Sequence, residues 1–506
     1  MKSSLRSRLI LCAILVLGAL LRFYTLGSKS IWLDEAFTLW VAKHPLSEVW
    51  SWIARIDQHP PLYYLLLSIW VKLWGDSEVA IRSLPALLST ATLPLFYLTA
   101  RKVAKPATAL LALFLLAISP FHIHYAQENR MYALLALAGC GAIYFVLSMV
   151  DKQRLEIRDC RLGDWNVAGL AVCQAIGMWT HNTFVLFFPL ALGIGLALGT
   201  VSGGVAELRS RIASFVQPLL AAEAFALLLW LPWADNFVHQ TVKVDQEFWI
   251  PAPGFWQILD AFHRLLVDHF TLEPWLTLWL LCALCLVMIG GGSLHQQEKL
   301  AGMLLLSFWL TPFLAEVLIG LRRPLLHAPS LIWTSLPLYL LIALGWGQWV
   351  QPSPGIRRWA GITLIGLVIG MNGLGLLNYY QAVYKEQWKD VAQFVSDRAN
   401  AGELILFNAT WVQLPFEYYA RREGLVAELH GVPVDLFERG VTEPKMSADD
   451  LPHLRQLITG RERVWLVYSH DWYTDPQQLI LHELRGQLVE KENKQFEGVR
   501  VYEFER

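Results

Sequence analysis

Two adjacent carboxylates, Asp34 and Glu35, stand in the segment Trp32-Leu33-Asp34-Glu35-Ala36, just after the first long apolar run of the chain. Neighbouring residues on a helix point about 100° apart, so the two carboxylates serve separate partners and are not a proton-sharing dyad. Either can take a proton from a hydroxyl as a general base. Equally, an acidic pair suits a helix N-terminus, where it meets the positive end of the macrodipole. Asp57 and His59 then stand two residues apart before Pro60-Pro61, with Tyr63 and Tyr64 following. That pair can ligate a cation, hold a phosphate or cap the next helix, and a metal would need at least one further converging donor. A third cluster, Gln127-Glu128-Asn129-Arg130-Met131-Tyr132, is denser in polar groups than a turn requires. Arg130 suits a phosphate because a guanidinium forks onto two of its oxygens, while an Arg-Tyr anchor at a membrane interface is the structural alternative. Arg22, Arg322 and Arg323 add positive charge near these clusters. Glu223 lies inside an apolar run, where a carboxylate is costly and is either functional or a hydrogen-bonded structural group.

The elements that must position these groups are membrane helices. Only 16% of the 506 residues are charged and 55% are hydrophobic, against about 25% charge in a soluble domain. The 23 Trp, 24 Phe and 16 Tyr suit a chain with two membrane interfaces. A net charge of -1 argues against nucleic acid as a partner, since phosphate backbones need a clustered basic surface. Five of the six cysteines lie in apolar runs, which speaks against a disulfide scaffold, and Cys282 and Cys285 read as helix packing. Lys2, Arg6 and Arg8 precede an apolar run with no small-residue cleavage site after it, as in an uncleaved first membrane helix.

Eleven segments approach the roughly 20 apolar residues of a span: 9–26, 79–100, 108–121, 131–150, 165–180, 184–200, 212–233, 275–290, 300–321, 331–350 and 359–379. Every second connection is basic: Arg101, Lys102 and Lys105, then Lys152 to Arg161, then Arg209 and Arg211, then Lys299, then Arg357 and Arg358. Basic loops face the cytoplasm, so the clusters above share the opposite face. The long first outer connection, 27–78, contains an apolar stretch at 60–74 that is too short to span and reads as an interfacial helix. After Tyr379 the composition turns charged. Trp388, Val391, Phe394 and Val395 have helical spacing, while 404–407 and 464–467 read as buried strands. The expected fold is therefore a polytopic α-helical membrane protein with about 11 transmembrane helices. A membrane module covers 1–380 and a soluble α/β domain covers 381–506, the latter outside the cytoplasm because the span count is odd.

In this order Leu21-Arg22, Trp32 to Ala36, Asp57 to Tyr64, Arg82-Ser83-Leu84-Pro85 and Gln127 to Tyr132 resemble the family 39 glycosyltransferases, the protein-O-mannosyltransferase-like branch of the GT-C membrane glycosyltransferases. Trp388-Lys389-Asp390-Val391 opens a C-terminal domain similar to that of many bacterial members. The likeness covers most of the chain and is specific mainly before Tyr132. It implies a polyprenyl-phosphate-sugar donor, an acceptor hydroxyl or amine on a glycan, lipid or protein, and a site on the extracytoplasmic face of a bacterial inner membrane. It also implies that the general base is Asp34, with Glu35 beside it. Asp57, His59 and Tyr63, together with Glu128, Arg130 and Tyr132, would line the donor-phosphate and acceptor pockets, and Arg22 would add charge there. Some relatives use a divalent metal and others do not, so a metal stays open. Many relatives carry an Arg-Tyr pair where this chain reads Ala328-Pro329-Ser330-Leu331; Arg322, Arg323 or His327 would replace that charge.

The residues alone agree with this chemistry. Nucleotide sugars are cytoplasmic, so a transferase facing outward needs a sugar already carried across the bilayer on a lipid phosphate. The departing phosphate is a stable anion that calls for cationic stabilisation, and one carboxylate base then suffices for an inverting displacement. A transporter or flippase is the alternative, but it would show internal repeats with matching Gly or Pro breaks, which this sequence lacks.

Overall fold

A computed structural model describes residues 2–150, 165–201, 205–246, 253–268, 275–297, 299–322, 326–350, 355–381, 385–433 and 445–506. Arg323 and the basic connection at 151–164 lie outside these residues. Seven described helices are long and apolar enough to cross a membrane: Glu78–Val103, Tyr132–Met149, Asn182–Gly199, Val216–Val242, Leu300–Gly320, Ala328–Val350 and Ile356–Gln381. The pair Pro106–Ala117 and Pro120–Ala126, bent by 55°, makes an eighth if it is one span. The chain is thus a multi-pass helical membrane protein.

The bend falls inside the apolar run at 108–121 and has a local cause. Pro120 offers no N–H and its ring obstructs the preceding turn, so a helix stops before it and a new one starts with it. Ser119 caps the new helix, its Oγ accepting from the His122 N–H at 3.3 Å. The segment expected at 331–350 likewise opens with a tighter 3-10 turn, Ala328–Thr334, ahead of the Ser335–Val350 α-helix. That helix meets Trp275–Gln297 at a glycine pair. A Cβ on Gly345 would fall 1.9 Å from the Leu286 carbonyl oxygen, and one on Gly290 would fall 2.2 Å from that of Leu341. Small residues let membrane helices approach this closely.

The chain divides into two compact units. The first comprises 1–25, 82–241 and 250–381 and contains the membrane helices. The second comprises 26–81, 242–249 and 382–506, so the first long connection belongs with the C-terminal residues. In it the expected stretch at 60–74 is the helix Leu62–Trp74, preceded by Leu33–Ala42 and Leu46–Ile56. The C-terminal part is an α/β sheet domain whose strands are β1 (Leu404–Phe407), β2 (Glu428–Gly431), β3 (Arg463–Tyr468), β4 (Val489–Phe496) and β5 (Val499–Glu505), in the order β2-β1-β3-β5-β4. β1 runs parallel to β2 and β3, while β5 is antiparallel to β3 and β4.

Side chains alternate across the sheet with period two. Leu404, Leu406, Val464 and Leu466 pack with Leu454 and Leu484 on one face. On the other, Phe407 meets Phe416 and Trp465 meets Phe394. Both expected strands are present, as is the helix Trp388–Ser396 with Trp388, Val391, Phe394 and Val395 buried. The edge strand β4 is exposed and charged and has a register irregularity between Glu490 and Glu492, features that keep an edge from pairing with another chain.

Candidate active site

Asp34 and Glu35 sit in the first turn of Leu33–Ala42, which starts after an extended Trp32 (φ -108, ψ 176). Within that turn they part company. Glu35 is wholly buried, and its Oε2 lies 2.9 Å from the Lys385 Nζ, itself nearly buried. Asp34 stays partly exposed, and its backbone carbonyl accepts from the Thr38 hydroxyl at 2.6 Å. Next to Lys385, the Glu386 carboxylate accepts from the Trp388 indole and from the Leu33 backbone N–H. Burial pushes the Glu386 pKa up to about 7, and the charge of Asp34 adds to the rise.

Neither Lys385 nor Glu386 stood out in the sequence. Their only signal is a charged pair following the last apolar run, and a buried Glu35 in need of a cation. Other ties within this unit fix the segment. The Ile31 N–H donates to the Tyr419 hydroxyl at 2.8 Å, the Lys389 N–H to Ser30 Oγ at 3.3 Å, and Arg422 to Asp76 at 2.8 Å.

Asp57 follows the end of Leu46–Ile56. Its Oδ1 lies 3.0 Å from His59 Nδ1 and accepts from the Gln58 N–H at 2.7 Å, while its Oδ2 accepts from the Tyr64 hydroxyl. Tyr63 is fully buried with its ring 6.4 Å from that of Tyr64. Among the described residues, no group of three His, Cys, Asp or Glu side chains converges as a metal site would require.

In the first unit the bend at Ile118 and Ser119 organises the polar cluster. Arg22 is wholly buried. Its Nε donates to Ser89 Oγ at 2.8 Å, and its two terminal nitrogens donate to the carbonyls of Gly18, Ala117 and Leu116 at 2.9, 3.2 and 3.3 Å. The last two carbonyls end a helix that the bend interrupts, so the guanidinium satisfies groups that would otherwise be orphaned. Gln127 does the same for the end of Lys2–Phe23, donating to the carbonyls of Leu21, Arg22 and Tyr24, and it accepts from the Tyr379 hydroxyl at 2.9 Å.

His124 lies between two carboxylates, with Nδ1 2.7 Å from Asp268 and Nε2 3.2 Å from Glu128. A doubly protonated ring satisfies both contacts. Arg130 is 4% exposed, and its backbone N–H donates to the Glu128 carbonyl at 2.7 Å. The Tyr132 ring lies 6.0 Å from His327 and 6.4 Å from His181. Glu128, Arg130, Tyr132 and His327 are therefore gathered in one unit, whereas Arg322 is exposed at the end of its helix. His124, Asp268 and Glu316 escaped the sequence reading. Glu316 could have been found as Glu223 was, as a carboxylate in an apolar run; it is buried, and its Oε1 accepts from Ser330 Oγ at 2.5 Å. Glu223 has Gln174 of Trp165–Met178 as its polar neighbour.

Membrane helices with a bent pair, and a long first connection gathered with an α/β sheet, accord with the GT-C fold, which the structural matches below show. The chain's resemblance to the protein-O-mannosyltransferase-like glycosyltransferases is borne out, since residues 58–233 match the family model described as dolichyl-phosphate-mannose-protein mannosyltransferase. ArnT from Cupriavidus metallidurans bound to undecaprenyl phosphate superimposes with a TM-score of 0.62 at 12% identity, over 97% of each chain. The archaeal oligosaccharyltransferase AglB from Archaeoglobus fulgidus, in complex with an inhibitory peptide and a dolichol-phosphate, gives 0.58 at 10% identity, over 99% of this chain and 74% of that one. An uncharacterized protein of Aquifex aeolicus is 32% identical over 122 residues, which are 22% of this chain and 24% of that relative's length.

Proposed function

We propose that this chain is an inverting glycosyltransferase that moves a hexose or pentose from a polyprenyl-phosphate sugar to an acceptor hydroxyl or amine. The site would face the extracytoplasmic side of a bacterial inner membrane. The observation that carries the reading is the division of labour between Asp34 and Glu35. Lys385 neutralises Glu35 and holds it in the interior, which leaves Asp34 as the partly exposed carboxylate of the pair and the proton acceptor. Glu35 then serves as a positioning group.

In the proposed step the acceptor oxygen attacks the anomeric carbon from the face opposite the phosphate. Its proton passes to the Asp34 carboxylate, the new carbon–oxygen bond forms, and the bond from the anomeric carbon to the phosphate oxygen breaks with its electron pair left on the phosphate. Arg130, with His327, would receive the phosphate charge, since cationic groups aimed at a departing anion lower the barrier. The lipid phosphates in the matched ArnT and AglB structures support a donor of this chemistry. Arg22 would act by holding the bend that places the Gln127 to Tyr132 cluster.

The test is transfer of label from radiolabelled polyprenyl-phosphate hexoses and pentoses to envelope extract, using purified protein in proteoliposomes. Covalently labelled product supports the reading. Labelled lipid that only changes leaflet would make the chain a flippase and overturn it.

A further inference from the structure

In the second unit a depression of about 330 Å³ opens at the carboxyl end of β3, away from Asp34 and Asp57 in sequence. Its walls are the end of β3 with the residues that follow it, Tyr468 to Trp472, and the β4–β5 turn with Arg500, and Glu386 also lines it. Asn408, just after β1, fixes the loop after β3 that carries His470, Asp471 and Trp472: its side chain donates to the Ser469 carbonyl at 2.6 Å and to Thr474 Oγ1 at 2.7 Å, and accepts from the Ser469 N–H at 3.0 Å. His470 follows in the left-handed region, with φ 54. Such backbone is uncommon for a residue other than glycine and collects at functional sites.

The chemistry of the lining narrows the ligand. The Arg500 guanidinium is spent on Asp471, 2.5 Å away, and lies 5.2 Å from the Tyr468 ring centroid. Burial lowers the His470 pKa and favours the uncharged ring, and Glu386 stands 3.4 Å from its Nε2. A phosphate would meet an already neutralised cation beside carboxyl groups. What remains is a close-set array of donors and acceptors next to Trp472, which is 62% exposed. An aromatic ring with an apolar face, flanked by carboxyl, imidazole and guanidinium groups, matches a molecule with an apolar face and a rim of hydroxyls. We propose that this crevice binds a neutral saccharide, with Trp472 against its apolar face and Glu386, His470, Asp471 and Arg500 on its hydroxyls.

The crevice is built onto the segment that reaches the candidate base. Gly498 has φ +74, and a Cβ there would fall 2.7 Å from Glu386 Cγ, so the β4–β5 turn can lie directly on Glu386. The Gln387 N–H donates to the Glu497 carbonyl at 3.1 Å, and the Glu497 N–H donates to Gln387 Oε1 at 2.9 Å. Glu386 touches His470 on the crevice and the Leu33 N–H at the start of the helix bearing Asp34. A saccharide held here borders that segment, whether it belongs to the donor or to a glycan acceptor.

The experiment is saturation-transfer NMR on the purified full chain in nanodiscs, with the methyl glycosides of mannose, glucose, galactose and N-acetylglucosamine, and inorganic phosphate as the anion probe. Saturable binding of at least one glycoside is expected, weakened at least tenfold by Trp472→Ala and by Asp471→Asn. Trp472 is exposed, so the first variant should melt with the wild type; Asp34→Asn should bind as the wild type does, which separates this site from the proposed transfer reaction. Displacement by the polyprenyl-phosphate form of the same sugar assigns the occupant to the donor, and persistence assigns it to the acceptor. The proposal is overturned if no glycoside binds, if Trp472→Ala binds as well as the wild type, or if phosphate occupies the site in competition with the glycoside.

Discussion

The Glu35 carboxylate and the Lys385 ammonium meet at 2.9 Å in the interior of one unit, although 350 residues separate them in the chain. A buried charge stripped of its partner is costly, whereas removing both charges is often nearly neutral. Lys385→Met should therefore lower stability by roughly 3 to 5 kcal/mol, and adding Glu35→Gln should restore most of it. Thermal unfolding of the two variants in detergent measures this. Equal melting temperatures for wild type and Lys385→Met would mean that the pair does not hold the segment.

Glu386 gives a pH signature. Its pKa is about 7 in the folded protein against a usual 4.5, chiefly through burial. The folded state then binds more protons between those values, so its stability falls as pH rises through that window and the loss is complete above it. Glu386→Gln should remove that fall, gaining on the order of 1 to 3 kcal/mol relative to wild type between pH 4.5 and pH 8. Parallel melting profiles for the two proteins across this range would contradict the assignment.

Arg130 and Arg264 form a matched comparison for donor use. Arg130 is buried in the polar cluster, while Arg264 makes an exposed ion pair with Asp260 one turn away. Losing a buried charged contact to phosphate costs roughly 2 to 5 kcal/mol, but an exposed pair of that kind is worth little. Arg130→Ala should raise the donor KM by tenfold or more and Arg264→Ala should leave it near wild type. Similar small effects from both would take Arg130 out of the phosphate site.

Much of this was legible in the residues. The strands show as continuous apolar runs at 404–407 and 464–467, the second falling inside the observed Arg463–Tyr468, because strands buried on both faces carry no polar alternation. The helix at 388–396 shows through the spacing of Trp388, Val391 and Phe394. Hydropathy could not show the bend at Ile118 and Ser119, because apolar residues continue across it and only Ser119-Pro120 marks the break. The acidic pair at 34 and 35 was visible, but its separation into a buried and a partly exposed member depends on Lys385, a contact no local pattern encodes. His124 with Asp268 escaped for the same reason, being 144 residues apart.

The alternation of basic connections, with the eleven spans expected from the sequence, leads us to propose an N-terminus inside and a C-terminus outside the cytoplasm. A reporter that fluoresces only in the cytoplasm, fused after Arg506, should be dark, and a periplasmic phosphatase at the same place should be active. A bright cytoplasmic reporter would reverse the proposed face of the site.

The most direct measurement is turnover of Asp34→Asn in proteoliposomes with a polyprenyl-phosphate sugar donor. Asn keeps the size of Asp and caps a helix about as well, so folding and donor binding should survive while the proton acceptor is lost. Turnover should fall by roughly 10² to 10⁴, the usual worth of a general base, and Glu35→Gln, whose side chain faces Lys385, should fall less once corrected for folded protein. Near-normal transfer by Asp34→Asn would contradict the account, because the residue would then be no more than an acid at a helix start.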